Sequence, residues 1–131
     1  MFTKEERSTF PYWFAHWCAF NMTALNLKVW KPKYLLHDIE KPWLKLIWKD
    51  YSRVKEWHRV HNKHHWEYKD PSKIDWEAMV IDWECGQYTK VDGQETAREL
   101  YEHRLQSDKV GELQKVLMRN KMLPILDKLG L

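Results

Sequence analysis

Apolar side chains return every three or four residues along the first part of this chain: Phe10, Trp13, Phe14, Trp17, Phe20, Ala24 and Leu27. That spacing is the period of an α-helix with one face turned inward. Similar spacing recurs almost to the C-terminus, and only four glycines and five prolines punctuate the 131 residues. A turn-rich β protein needs more of both, so the pattern predicts an all-α fold. Local signals divide it. Thr3 to Glu6 reads as a capping box, and Thr9 ahead of Pro11 as the cap of the first long helix. Lys31-Pro32 breaks the chain and restarts it. A second helix is expected from Pro32 to Trp48, with Leu35, Leu36, Ile39, Trp43, Leu46 and Ile47 inward, and a third from Tyr51 to His64. Ser72 to Asp75 resembles another capping box, ahead of a fourth helix from Ile74 to Tyr88. After a turn at Asp92-Gly93, two more helices are expected over Gln94–Gln106 and Lys109–Lys121. Pro124 should stop the last, with Ile125, Leu126 and Leu129 packing back. The whole, residues 1–131, reads as a single compact helical bundle of five to six helices.

Several classes are excluded. Aromatic residues make up 15%, with nine tryptophans, too many for a disordered chain. No stretch approaches the ~20 apolar residues of a membrane span. The opening MFTKEERSTF carries acids early and lacks an apolar signal core, so a cytoplasmic protein is expected. Cys18 and Cys85 fall in apolar patterns outside any CxxC pair and read as buried thiols of a reducing compartment. The tryptophans mostly fall on apolar stripes and read as core. Trp66 and Tyr68 are expected in a loop, placed either to stack on a nucleobase or to anchor that loop.

Charge is uneven. Lys28 to Lys73 carries twelve Lys and Arg against six Asp and Glu, and Ile74 to Asp108 carries three against nine. The basic stretch suits an anionic substrate such as a phosphate, or the two halves attract each other. Its bases are spread around several helix faces, which argues against nucleic acid.

Six of the seven histidines lie in the first half: His16, His37, His58, His61, His64 and His65. On a third helix reaching His64, His58 and His65 sit roughly 20° apart around the axis, with His61 within about 60° of both. Three neutral imidazoles on one face form half a metal site, or a solvated polar face between Arg59 and Lys63. His37-Asp38 sits in LLHDIEKPW, too apolar for a carboxylate without a partner. A divalent cation satisfies both side chains at once. Pro42 has no N–H for the Asp38 carbonyl, so the helix should loosen at the pair. His16 lies among Trp13, Phe14, Trp17 and Phe20, and Asp82 lies in MVIDW. Taken singly, each is an ordinary satisfied core group. Together they place one ligand set on each successive helix, as metal sites in bundles do.

The order His16, then His37-Asp38, then Asp82 resembles that of the HD-domain metal-dependent phosphohydrolases. Asp38-Ile39-Glu40-Lys41 extends it to HDxxK, similar to the HDxGK of the HD-GYP branch, with Glu40 in place of its glycine and no GYP segment. HDxxK followed by HxxxNxHHWEY also resembles a small family of bacterial and phage proteins without an established reaction. It covers about Tyr12 to Tyr101 and carries over His37, Asp38, Lys41, His58, Asn62, His64, His65 and Asp82. The resemblance implies one or two divalent ions (Mn, Fe, Co, Ni or Zn), the first held by His16, His37, Asp38 and Asp82. Such an ion lowers the pKa of a water that attacks a phosphorus. Lys41 is implied to neutralise the phosphate oxygens. His58, His64 and His65 are implied as further ligands, and His58 or His61 as the acid protonating a leaving oxygen. The substrate implied is a small phosphate ester, a nucleotide in first place, and the compartment the cytoplasm, that of the host if phage-encoded. The alternative is a non-catalytic, metal-stapled helical module that binds a protein partner.

Overall fold

Thr9 starts the first helix: its backbone is extended, its hydroxyl accepts the Tyr12 N–H, and Pro11 fills the first turn, where a missing N–H costs nothing. In the computed structural model, which describes residues 1–92 and 94–131, this is α1 (Phe10–Asn26). It is followed by α2 (Glu40–Trp48), α3 (Tyr51–His61), α4 (Trp76–Cys85), α5 (Ala97–Gln106), α6 (Glu112–Leu117) and α7 (Leu123–Leu129). Short 3₁₀ turns at Glu5–Ser8, Pro32–Leu36, Pro71–Lys73 and Gly86–Tyr88 join them. Among the described residues no strand forms, only an isolated bridge between Phe2 and Lys90. Gly93 of the expected Asp92-Gly93 turn lies outside the described residues. The fold is all-α. Pro124 does not stop the last helix. It sits in the first turn of α7, directly after a π turn at Met118–Met122 that joins α6 and α7 into one rod. The wider turn accommodates the missing proline N–H. Counted this way, six helices are present among the described residues.

Helix α4 is the centre. Ala78, Ile81 and Cys85 pack on Phe20 and Ala24 of α1 and on Tyr34. Trp76, Met79 and Val80 pack the other way, on Ala97 and Tyr101 of α5, on Val110, and on Met118, Met122 and Leu126 of the last rod. A helix clothed on both sides must be apolar nearly all round, which MVIDW and its neighbours supply. The helix begins at Trp76, not Ile74, and its cap is Asp75, whose Oδ1 accepts the Ala78 N–H at 3.1 Å. Ser72 instead bonds back to Asp70. The two charged halves meet here through Lys31–Glu77 at 2.9 Å and Lys33–Asp75 at 2.5 Å.

The second helix departs most from expectation. The 3₁₀ turn ends at Leu36, His37 is extended in ψ, and Asp38 adopts φ +57° before α2 begins at Glu40. A stripe counted at 3.6 residues per turn through that break does not stay on one face. Leu35, Leu36, Ile39, Trp43, Leu46 and Ile47, expected inward, are all exposed, from 43% at Ile39 to 71% at Ile47. Phe10 and Phe14 of α1 are exposed as well. Trp66 and Tyr68 pack against the core around α4, so they anchor their loop. Cys85 is buried and Cys18 only partly so. No described helix is long and apolar enough to cross a membrane.

Candidate metal centre

The break at His37-Asp38 is what builds the site. A left-handed residue is tolerated by aspartate better than by most side chains, and here it turns His37 and Asp38 inward together. The Asp38 carbonyl, which Pro42 cannot reach with an N–H, accepts the Lys41 N–H at 3.1 Å and the Trp13 indole N–H at 2.8 Å. The loosening expected from Pro42 is therefore a complete interruption, held by an indole from α1.

Two groups of ligand atoms result. In the first, His16 of α1, His37, Asp38 and Asp82 of α4 place one atom each within 4.8 Å of one another. Asp82 Oδ1 lies 2.9 Å from His16 Nε2 and 3.1 Å from His37 Nε2, and those two nitrogens are 3.1 Å apart. Asp38 Oδ2 is 3.5 Å from His16 Nε2. In the second group, His58, His64 and His65 likewise lie within 4.8 Å. Asp38 joins the groups, with Oδ1 at 2.9 Å from His58 Nε2 and 3.0 Å from His64 Nε2. Bonds of about 2.1 Å to one ion put adjacent ligand atoms about 3.0–3.4 Å apart in octahedral or tetrahedral arrangements. The observed separations fall at that spacing. His65 Nε2 is buried without a hydrogen-bond partner, a costly condition that a cation relieves. The donor set thus fits a divalent metal, with Asp38 placed to bridge two positions.

The electrostatics agree. Burial opposes ionisation of Asp38, but His37, Lys41 and His58 outweigh it and hold the carboxyl well below the usual range. At Asp82 burial is likewise overcome, by the hydrogen bonds from His16 and His37. Burial, then the neighbouring His37, lowers His64; burial, then His64, pushes His65 down to about 2. Both are neutral near pH 7, the form that offers a lone pair. Burial pushes His58 down, but Asp38 and Glu40 more than offset it and raise its pKa.

A supporting layer surrounds these ligands. His58 Nδ1 pairs with Glu40 Oε1, and Asn62 Nδ2 donates to the same oxygen at 2.9 Å. An imidazole backed by a carboxylate is the usual way a ligating histidine is oriented. Glu40, the departure from HDxGK, takes this role because α3 lies alongside it. Cys85 Sγ lies 3.8 Å from His16 Nδ1, and the Phe20 ring stacks on His37 at 3.7 Å. Neither of these contacts is readable from spacing.

Two expectations need correction. His61 is exposed and stacks on Trp57, with Nδ1–H donating to the Trp57 carbonyl at 2.8 Å. It lies outside both ligand groups. The reason is that α3 ends there: Asn62 is extended, so His64 and His65 approach from the following turn and not along a helical face. Both then point into the site. His58, the other candidate acid, has each ring nitrogen engaged by a carboxylate, which suits a ligand better. Lys41 Nζ sits 3.1 Å from Asp38 Oδ2. Burial alone would lower its pKa, but Asp38 reverses this and keeps the ammonium charged.

A cavity of about 300 Å³ opens onto both groups, reaching His16, Asp38, His58, His65 and Asp82. Its walls carry six cations from four parts of the chain: Lys4, Arg7, Lys41, Lys55, Arg59 and Lys90. Burial and then Arg59, Lys4, Lys41 and Arg7 lower Lys55, a sign of how closely these charges crowd. Compared with protein families, with curated proteins and with solved structures, the chain matches none.

Proposed function

We propose that this protein is a metal-dependent phosphohydrolase of the HD type, acting on a small phosphate ester. One observation carries the reading: the ligand groups around Asp38 open into a cavity walled by six cations. A structural metal site is closed by its protein ligands, whereas a catalytic one keeps a position open to solvent. When bound, a divalent ion there supplies Lewis acidity toward a phosphoryl oxygen and a water activated near neutral pH. The chain's own residues do the rest. Asp38, buried, and Asp82, half-buried, are ionised and hold the positive charge in place. Lys41 and Arg7 face a phosphate entering the cavity and stabilise the charge that develops on its oxygens. Glu40 and Asn62 fix the His58 ring so that its Nε2 is presented inward.

The alternative, a metal-stapled module that binds a protein, draws support from the exposed apolar side chains of α1 and α2. Elemental analysis of protein purified without chelator separates the readings from a metal-free fold. Asp38→Asn, which keeps the left-handed backbone favourable, should lose the metal that the wild type carries in stoichiometric amount. Full metal content in Asp38→Asn overturns the site. A metal-loaded wild type that turns over no phosphoester with Mn, Fe, Co, Ni or Zn leaves the stapled module as the answer.

A further inference from the structure

The cationic cavity is half of a larger cleft. A second cavity of about 290 Å³ shares Arg7, Tyr12, His16, Asp38, Lys41 and Tyr51 with it, so the two meet at the metal ligands. Beyond that junction the chemistry changes. The far wall is Phe10, Trp13, Pro42 and Leu46. Tyr12, Tyr51 and Arg7 stand at the junction itself. Beyond it the polar side chains are engaged within the protein: Ser8 donates to the Glu5 carbonyl at 3.4 Å, Thr9 to the Glu6 carbonyl at 2.6 Å, Lys45 to the Ser8 carbonyl at 2.5 Å, and the Trp13 indole to the Asp38 carbonyl at 2.8 Å.

We propose that this lobe holds the organic group of the phosphate substrate, and that the group is a hydrocarbon, alkyl or aryl, with no polar edge. The inference rests on the phosphohydrolase reading and names its substrate class. A nucleobase or sugar placed in the lobe loses its hydrogen bonds to water without side-chain partners to replace them. Trp66 and Tyr68, the pair otherwise suited to stacking a base, are spent in the core. A hydrocarbon loses nothing polar and covers Phe10 and Leu46, which are 63% and 70% exposed at the mouth. The occupant follows from continuity: the lobe begins at Lys41 and Asp38, where the phosphate is held, and leads away from them.

The test is calorimetric titration of the manganese-loaded protein with inorganic phosphate and with ethyl-, butyl-, hexyl- and phenylphosphonate, whose C–P bonds are not hydrolysed. Each added methylene should tighten binding roughly three- to fourfold while the chain still fits. The hexyl-to-phenyl ratio then tells chain from ring. Leu46→Gln, a polar but uncharged change at an exposed position, should remove most of the chain-length gain. Phosphate binding with no dependence on chain length, a full gain that survives Leu46→Gln, or tighter binding of the phosphonate analogue of adenosine monophosphate than of hexylphosphonate each overturns the hydrocarbon assignment and leaves the phosphohydrolase reading standing. Failure of inorganic phosphate itself to bind overturns that reading, and this inference with it.

Discussion

Glu40→Ala offers a sharp test of the supporting layer, because Glu40 touches only one of the two ligand groups. Its Oε1 receives both His58 Nδ1 and Asn62 Nδ2. Removing it leaves the His58 ring free to rotate and no longer raises the basicity of its inward nitrogen. Loss of such a partner typically weakens metal affinity by about 10–100-fold, or roughly 1.4–2.7 kcal/mol. The first group, His16, His37 and Asp82, makes no contact with Glu40 and should keep its ion. Titration of metal-free protein should therefore show two events in the wild type, of which one weakens in the variant. Stability gives an independent readout. At a free metal concentration of about 1,000 Kd, one ion stabilises the fold by ~4.1 kcal/mol; if its affinity falls 10–100-fold, ~2.7–1.4 kcal/mol remains. Thermal melts at fixed metal concentration should register the difference, and melts in chelator should register much less. If both binding events weaken equally, or neither does, the division of the site into two groups bridged by Asp38 is wrong.

Other outcomes follow from the same geometry. Lys41→Met should lower phosphoester turnover by about 10²–10³ while metal content holds; because it strips Asp38 of its cation, it should destabilise the metal-free protein more than the loaded one. His61→Ala should change metal content and turnover negligibly and stability by no more than about 0.5 kcal/mol, since that ring lies on the surface against Trp57. Asp75→Ala should cost about 0.5–2 kcal/mol through loss of the α4 cap. Asp75 also has a pH signature. Burial raises its pKa, but Lys33 and the Ala78 N–H outweigh that and lower it. A depressed folded pKa means that the contribution is present above the unfolded value of about 3.9 and fades as pH falls through the lower folded one. Urea midpoints of wild type and Asp75→Asn should differ at pH 7, and the difference should shrink as pH falls through the lowered folded value.

The parts of this protein that sequence reading captured are those where chemistry and period agree. The presence of helix α1 and its Thr9 cap follow from residue spacing and cap chemistry, although Phe10 and Phe14 of the stripe lie exposed. So does the assembly of His16, His37, Asp38 and Asp82, because polar groups in apolar helices demand a common partner. The misses arose where a backbone event reset the count. No glycine or proline marks the end of α3 at His61, so an extended Asn62 was invisible and three histidines were assigned to one helical face. The interruption at His37-Asp38 was signalled by Pro42, but not its extent, and the residues flanking it were consequently turned inward. At Pro124 the signal was present and misleading: a π turn absorbed what normally ends a helix. Glu40 was in plain view, yet its use depends on where α3 lies, which no local pattern states.

The two ligand groups differ in how much chain must be organised before they exist. His58, His64 and His65 belong to one helix end and the turn after it, whereas the bond between His16 and Asp82 closes a separation of 66 residues. Loop closure over such a distance waits for the pieces that reward it, here the docking of α4 between both cores. On the proposed metal reading, the histidine turn would be able to take up a cation while the rest of the chain is still open, and the second position would become available only on completion of the fold. In refolding, metal supplied at the start should then act on the rate as well as on the final stability. Metal supplied at the end should act on stability alone. For a protein emerging from a ribosome, the first ion would arrive before the residue that helps hold the other has been made.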